Sequence, residues 1–213
     1  MHGTKLIAAA AIALSSSPLL AGDTLPEGIW TNTEDEYFAE EEGREKPAWV
    51  ALEIGSKGEW RRIDAFGQPQ TEWSDAAIPG LTFDQSAGWQ INGSELRRAK
   101  PLTCWVAVRK FAVKPNGDED WTFSRNLKIF DQGGRSLIAG EGVAPDVTIR
   151  VRNVTWAKGS RNKPVRALYI HKQDPVRAES YSWGAPDTSV IGINLRWVQA
   201  SCSEQPSEIE RQR

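Results

Sequence analysis

Residues 147–152 read Val-Thr-Ile-Arg-Val-Arg, an unbroken alternation of apolar and polar side chains. A repeat of two residues places Val147, Ile149 and Val151 on one face of a β-strand and the polar side chains on the other. Antiparallel sheets that have one face on a core and the other in water carry this alternation. The stretch therefore predicts an antiparallel strand whose apolar face covers a core.

The rest of the chain repeats this pattern. Short β-like runs separated by Gly, Pro, Asn and Asp recur from residue 30 to residue 197, and no long window shows a sustained helical period. Residues 191–197 alternate again, which predicts Ile191, Ile193, Leu195 and Trp197 on the core side. Strands joined by hairpin-length loops predict an all-β protein, either a single antiparallel barrel or a two-layer sandwich.

Two hairpins are predicted from turn residues. Residues 48–54 and 59–66 flank a four-residue loop that begins and ends with glycine. Residues 103–114 and 121–123 flank the sequence Pro-Asn-Gly-Asp at 115–118, where Asn-Gly supplies the positive φ that a tight turn requires.

The N-terminus has the order of an export signal. One lysine is followed by an apolar run and by small residues that end at Ala21. We expect residues 1–21 to be a signal peptide, 22–202 a single β domain and 203–213 a disordered tail. The apolar run is about nine residues, well below the roughly 20 that span a bilayer. The expected mature protein therefore has no transmembrane segment and is exported, to the periplasm or the extracellular space.

Two cysteines, Cys104 and Cys202, lie in the expected mature part. In an oxidising compartment an even count predicts a disulfide, and two cysteines allow one pairing. Two buried free thiols or a metal pair are the alternatives. The predicted bridge ties the middle of the chain to its end.

Tryptophan is unusually abundant: the chain has 10, against 3 tyrosines and 6 phenylalanines. A tryptophan fills a core, or it forms a platform for sugar rings and other flat ligands beside arginine. Trp73 and Trp183 lie in Pro- and Gly-rich segments, which predicts partial exposure. The candidate ligand-binding residues are Trp60, Arg61, Trp73, Trp89, Arg97 and Trp183.

A short resemblance bears on the architecture. Gly28-Ile29-Trp30 near the start and Arg196 in the last predicted strand resemble the Gly-x-Trp start and the late arginine of the lipocalin barrels. The resemblance covers these two spots. It implies a closed antiparallel barrel whose mouth takes one small ligand.

Several chemistries lack the residues they need. The chain has two histidines, His2 in the expected signal and His171, so His-rich zinc sites cannot form within one chain. No nucleophile elbow, P-loop or dinucleotide fingerprint occurs. We predict no catalytic residues, no metal site and no cofactor, and we expect His171 to be a surface residue at a strand end.

Charge gives further indications. The formal net charge is −2, which is not the footprint of a nucleic-acid-binding protein. The acidic run 34–42 is interpreted as a solvated loop, with one helical turn possible over 35–42. The basic clusters at 61–62, 97–100 and 150–152 are candidates for binding an anionic ligand or an envelope polymer.

Three functional classes follow from these residues. The first is a non-catalytic module that binds a small ligand or glycan in a concave Trp/Arg site. The second is a structural or partner-binding envelope protein with a flat aromatic patch. The third is a hydrolase that uses two carboxyl groups in a groove, at least one with a raised pKa. The sequence does not determine the oligomeric state.

Overall fold

The structure is a computed structural model that describes residues 24–172 and 177–204, without the side chains of 112 and 113. These residues form one short helix and fifteen strands. In chain order the elements are β1 (Gly28–Thr31), α1 (Thr33–Phe38), β2 (Ala51–Ile54), β3 (Trp60–Arg62), β4 (Leu81–Asp84), β5 (Gly88–Ile91), β6 (Ser94–Glu95), β7 (Arg97–Ala99), β8 (Pro101–Val113), β9 (Glu119–Phe130), β10 (Gln132–Ile138), β11 (Val147–Val154), β12 (Val165–Lys172), β13 (Ala178–Gly184), β14 (Val190–Asn194) and β15 (Val198–Glu204).

The strand pairings confirm the predicted all-β, antiparallel class. The described strands form four sheets, with the orders β3-β2-β1-β7, β4-β5-β6, β10-β11-β12-β13 and β14-β15-β8-β9. Each of these sheets is open at both ends, so the closed barrel, which the lipocalin resemblance also implied, is wrong. Among the same residues, no helix is both long and apolar enough to cross a membrane.

A shared core identifies two of the sheets as the layers of a sandwich. Val147, Ile149 and Val151 of β11 are completely buried, as their alternation predicts. They belong to one cluster with residues of the β14-β15-β8-β9 sheet, including Val106 and Val198. Apolar faces of two open sheets exclude water only when they cover each other, which explains the layered arrangement.

The predicted disulfide is confirmed. Cys104 on β8 lies directly opposite Cys202 on β15; their Cα atoms are 4.0 Å apart, and the sequence separation is 98 residues. The bridge therefore joins two central strands of one sheet. Both half-cystines are buried in the sandwich core.

The predicted alternating run 191–197 is split. Strand β14 ends at Asn194, and the Leu195 amide donates to the carbonyl of Val198 at 2.9 Å, which closes a tight turn into β15. Leu195 and Trp197 still pack against the core, because a hairpin keeps both strands on the same sheet. Strand β15 extends to Glu204, two residues into the predicted tail.

The predicted signal peptide at 1–21 and the remainder of the tail at 205–213 lie outside the described residues. Residues 24–100 carry a second buried cluster, which includes Leu52 and Ile54 of β2 and Val50 just before that strand. The amide of Arg135 on β10 donates to the carbonyl of Ala65 at 2.7 Å, which ties this part to the sandwich. One domain over 22–202 stays a prediction.

Candidate ligand-binding site

Two of the predicted site residues contribute to the core. Trp60 on β3 and Trp89 on β5 pack against the buried cluster of residues 24–100. The indole Nε1 of Trp60 donates to the carbonyl of Ala76 at 2.7 Å, and the Trp89 ring lies 5.0 Å from that of Phe83. A cleft of about 310 Å³ opens beside Trp60. The main contribution of these two tryptophans is packing.

The two predicted arginines have partners within the protein. The Arg61 Nε atom donates to Glu53 Oε2 at 2.6 Å, and its guanidinium lies 4.4 Å from the centre of the Trp73 ring. Arg97 forms an ion pair with Glu95 at 2.9 Å. Their charges are therefore compensated within the fold.

The exposure predicted for two tryptophans is confirmed, but the six residues do not form one site. Trp73 is 42% exposed and Trp183 is 68% exposed. Trp73 contacts Arg61 beside the first sheet, whereas Trp183 lies on β13, at the edge of the sandwich. A tryptophan's position beside an arginine in the sequence therefore did not predict that the tryptophans lie together in the structure.

Trp183 belongs to a different aromatic group. The register of β12 and β13 pairs Ala167 with Trp183 and Tyr169 with Tyr181, so these side chains share the outer face of the sheet. Tyr181 is 62% exposed, and its ring centre lies 5.9 Å from that of Tyr169. The rings of Tyr181 and Trp183 are therefore both exposed, on the same face of β13.

The loop after β11 supplies the opposite wall. Trp156 has a positive φ of 64°, and its indole Nε1 donates to the carbonyl of Lys163 at 2.8 Å. Between this wall and β13 lies a groove of about 410 Å³. We call it the aromatic groove; it is lined by Val154, Trp156, Asn162, Lys163, Val165, Ala167, Tyr169, Tyr181 and Trp183.

Helix α1 packs on the same outer face of the sheet. Phe38 is buried with Ala167 and against Trp156, beside the groove. Glu34 receives two hydrogen bonds from Arg152, at 2.8 and 3.0 Å, and the Arg152 guanidinium lies 3.7 Å from the Tyr37 ring centre. The side chains of Glu34 and Arg152 are 2% and 3% exposed. The interpretation of this acidic run as a solvated loop is therefore wrong for Glu34, which neutralises a buried arginine.

Two further arginines, Arg135 and Arg150, lie on the same face of the sheet as Arg152. Arg135 on β10, Arg150 on β11, Tyr169 on β12 and Tyr181 on β13 occupy matching register positions, and they form a row across the four strands. The Nε atoms of Arg135 and Arg150 are buried, and no described residue accepts a hydrogen bond from them.

Burial acts on both guanidiniums, and repulsion by like charges acts on Arg150. Burial, followed by repulsion from Arg152 and Arg135, lowers the pKa of Arg150 to about 10. Burial also lowers the pKa of Arg135. No carboxylate of the described residues forms an ion pair with either side chain, although the Glu34 carboxylate attracts Arg150.

A buried polar network lies between the two sandwich layers. Asp131 accepts hydrogen bonds from Arg166 and Asn153, and burial raises its pKa. Arg166 and Lys100 also donate to Glu204; burial opposes the effect of these donors, but together they lower the pKa of Glu204. Because Asp131 is completely buried, it cannot reach a ligand in the groove.

The position of His171 corrects another expectation. It is 3% exposed on β12, rather than on the surface. It shares the outer face of the sheet with Tyr169, because side chains two residues apart on a strand point the same way. The histidine is therefore part of the packed sheet.

Of the residues that line the aromatic groove, Trp183 was predicted, and the three other aromatic residues, Trp156, Tyr169 and Tyr181, were not. The alternation over residues 178–184 was a signal that Tyr181 and Trp183 share one face of a strand, but with Ser180 and Ser182 on the other face it did not indicate that the aromatic face is the exposed one. Trp156 gave no such signal, since it lies in a loop whose conformation depends on tertiary contacts. In comparisons with family models, curated proteins and solved structures, nothing matches this chain.

Proposed function

We propose that this protein is a non-catalytic binding module that takes a small ring-bearing ligand, such as a sugar, in the aromatic groove. The observation that carries the proposal is the pair of exposed rings, Tyr181 and Trp183, which line one groove together with Trp156. Exposure of aromatic faces to water is energetically unfavourable, and exposed apolar patches on a protein surface mark binding sites.

The groove has the composition of a small-molecule site. Its volume of about 410 Å³ lies within the usual range for ligand pockets. Tyr181 and Trp183 lie on a hydrogen-bonded strand, so stacking on them orders little additional chain. Asn162 and Lys163 provide polar groups at the rim.

The alternatives receive less support. A carboxylate-based hydrolase needs two acids at the ligand, and no Asp or Glu is among the described residues that line the groove. An envelope protein that binds a partner through a flat patch is less suited to this concave surface. Export to an oxidising compartment remains part of the proposal, and the Cys104–Cys202 disulfide supports it.

A glycan array followed by calorimetry tests the proposal. We expect Trp183→Ala to weaken binding of an array-selected sugar at least tenfold, because it removes the most exposed ring of the groove. Trp105→Ala is the matched control, since Trp105 is also exposed but lies on β8, in the other layer. Equal losses in both variants, or no sugar and no small-molecule binding at all, would refute the proposed function.

A further inference from the structure

We propose that Arg135 and Arg150 form an anion subsite that receives a sulfate, phosphate or carboxylate group of the ligand held in the aromatic groove. The link to the groove rests on the proposed function. The subsite itself rests on two part-buried guanidiniums, aligned across neighbouring strands, whose Nε donors have no acceptor among the described residues.

The fold leaves Arg135 and Arg150 without an ion-pair partner although helix α1, which packs on the same face of the sheet, carries three acids. Of the carboxylates on α1, Glu34 binds Arg152, Asp35 binds Arg44, and Glu36 binds Lys46. Each is held by a partner at 2.8 or 2.9 Å. The carboxylates of α1 are therefore committed to other cations, and the one nearest this face, Glu34, is ion-paired with Arg152.

Unpaired cations in such a place are disadvantageous to folding. A part-buried charge without a partner loses hydration and gains nothing in return, so its retention needs another explanation. The lowered pKa of Arg150 reflects this disadvantage. A guanidinium still carries its proton at neutral pH, and its planar fork suits oxygen anions of a ligand.

The register connects the cations to the groove. Arg150 pairs with Tyr169, and Tyr169 lines the aromatic groove. Neighbouring strands lie roughly 4.8 Å apart, so Arg150 and the exposed Tyr181 are separated by about 10 Å at their backbones. A ligand with a ring on Tyr181 and Trp183 and an acidic substituent spans this distance.

Thermal unfolding with an inorganic anion tests the subsite without knowledge of the ligand. We compare sodium sulfate with sodium chloride at equal ionic strength for the wild type, Arg150→Met and Arg125→Met. Arg125 is an exposed arginine of β9, in the other layer, and it controls for general sulfate stabilisation and for lost charge. We expect sulfate to raise the Tm of the wild type and Arg125→Met by a saturable increment that Arg150→Met lacks.

The same variant separates a binding role from a structural role. In chloride alone, Arg150→Met should melt at or above the wild-type Tm, because it removes a part-buried charge that has no ion-pair partner and is repelled by Arg152 and Arg135. A lower Tm for Arg150→Met in chloride, or equal sulfate shifts in all three proteins, would overturn the subsite.

Sulfated and unsulfated forms of one sugar test the link to the groove. We expect the sulfated form to bind at least tenfold more tightly to the wild type and the two forms to bind equally to Arg150→Met. Neutral sugar binding without any preference for the sulfated form refutes the subsite and leaves the proposed function standing. A sulfate shift that requires Arg150 in a protein that binds no sugar refutes the proposed function and leaves the subsite standing.

Discussion

The buried ion pair between Glu34 and Arg152 fixes α1 to the sandwich. We expect substitution of Glu34 to lower the free energy of unfolding more than substitution of Arg152. Glu34→Gln keeps the shape of the side chain but leaves Arg152 without a carboxylate, beside two further arginines. Removing one member of a buried pair destabilises by about 3–5 kcal/mol. We expect Glu34→Gln near the upper figure, a change of about 1,000-fold or more in the unfolding equilibrium.

Arg152→Met should be milder. The remaining Glu34 carboxylate still accepts from the amide of Thr155 at 3.3 Å and is attracted by Arg150. We expect a loss of about 3 kcal/mol, the lower figure of the range. In the double variant no buried charge of the pair remains, so its loss should be smaller than that of Glu34→Gln alone.

Urea unfolding at pH 7, followed by tryptophan fluorescence and circular dichroism, measures these free energies. Glu36→Gln is the matched control, because the Glu36–Lys46 pair has the same charges but a half-exposed lysine. Its loss should stay below about 1 kcal/mol. Equal losses for Glu34→Gln and Glu36→Gln, or a double variant whose loss equals the sum of the single losses, would refute the reasoning.

Three further outcomes are expected. Cys104→Ala/Cys202→Ala should lower the free energy of unfolding by about 2–5 kcal/mol, since the bridge closes a long loop in the unfolded chain; urea titration showing less than about 1 kcal/mol would contradict this. Hydrogen bonds from Arg166 and Lys100 lower the folded-state pKa of Glu204. The ionised Glu204 side chain therefore stabilises the fold above the unfolded pKa value near 4.5, and this stabilisation is lost as pH falls through the folded-state pKa. The stability difference between wild type and Glu204→Gln should therefore shrink with acidification; a constant difference from pH 6 to pH 2.5 would argue against it. Phe38→Ala should destabilise by about 3–5 kcal/mol, because the ring is buried, whereas exposed Phe66→Ala should change stability by less than about 0.5 kcal/mol, and similar Tm losses would contradict the packing of α1.

Local sequence determined the strands and turns of this protein. The alternation over residues 147–152 predicted which side chains of β11 face the core, because a strand has a fixed repeat of two. The Asn-Gly turn and the hairpin loop at 55–58 were equally readable, since positive φ is favourable for few residue types. The disulfide followed from there being two cysteines.

Tertiary structure decided which strands pair and therefore which side chains meet. Cross-strand register places Arg135, Arg150, Tyr169 and Tyr181 in one row although they span 46 positions of sequence, and no local pattern encodes that pairing. The same is true of Glu34, whose burial depends on Arg152, 118 positions away. Closure as a sandwich rather than a barrel was also a tertiary outcome, because both architectures use the same alternation and differ only in whether the edge strands pair.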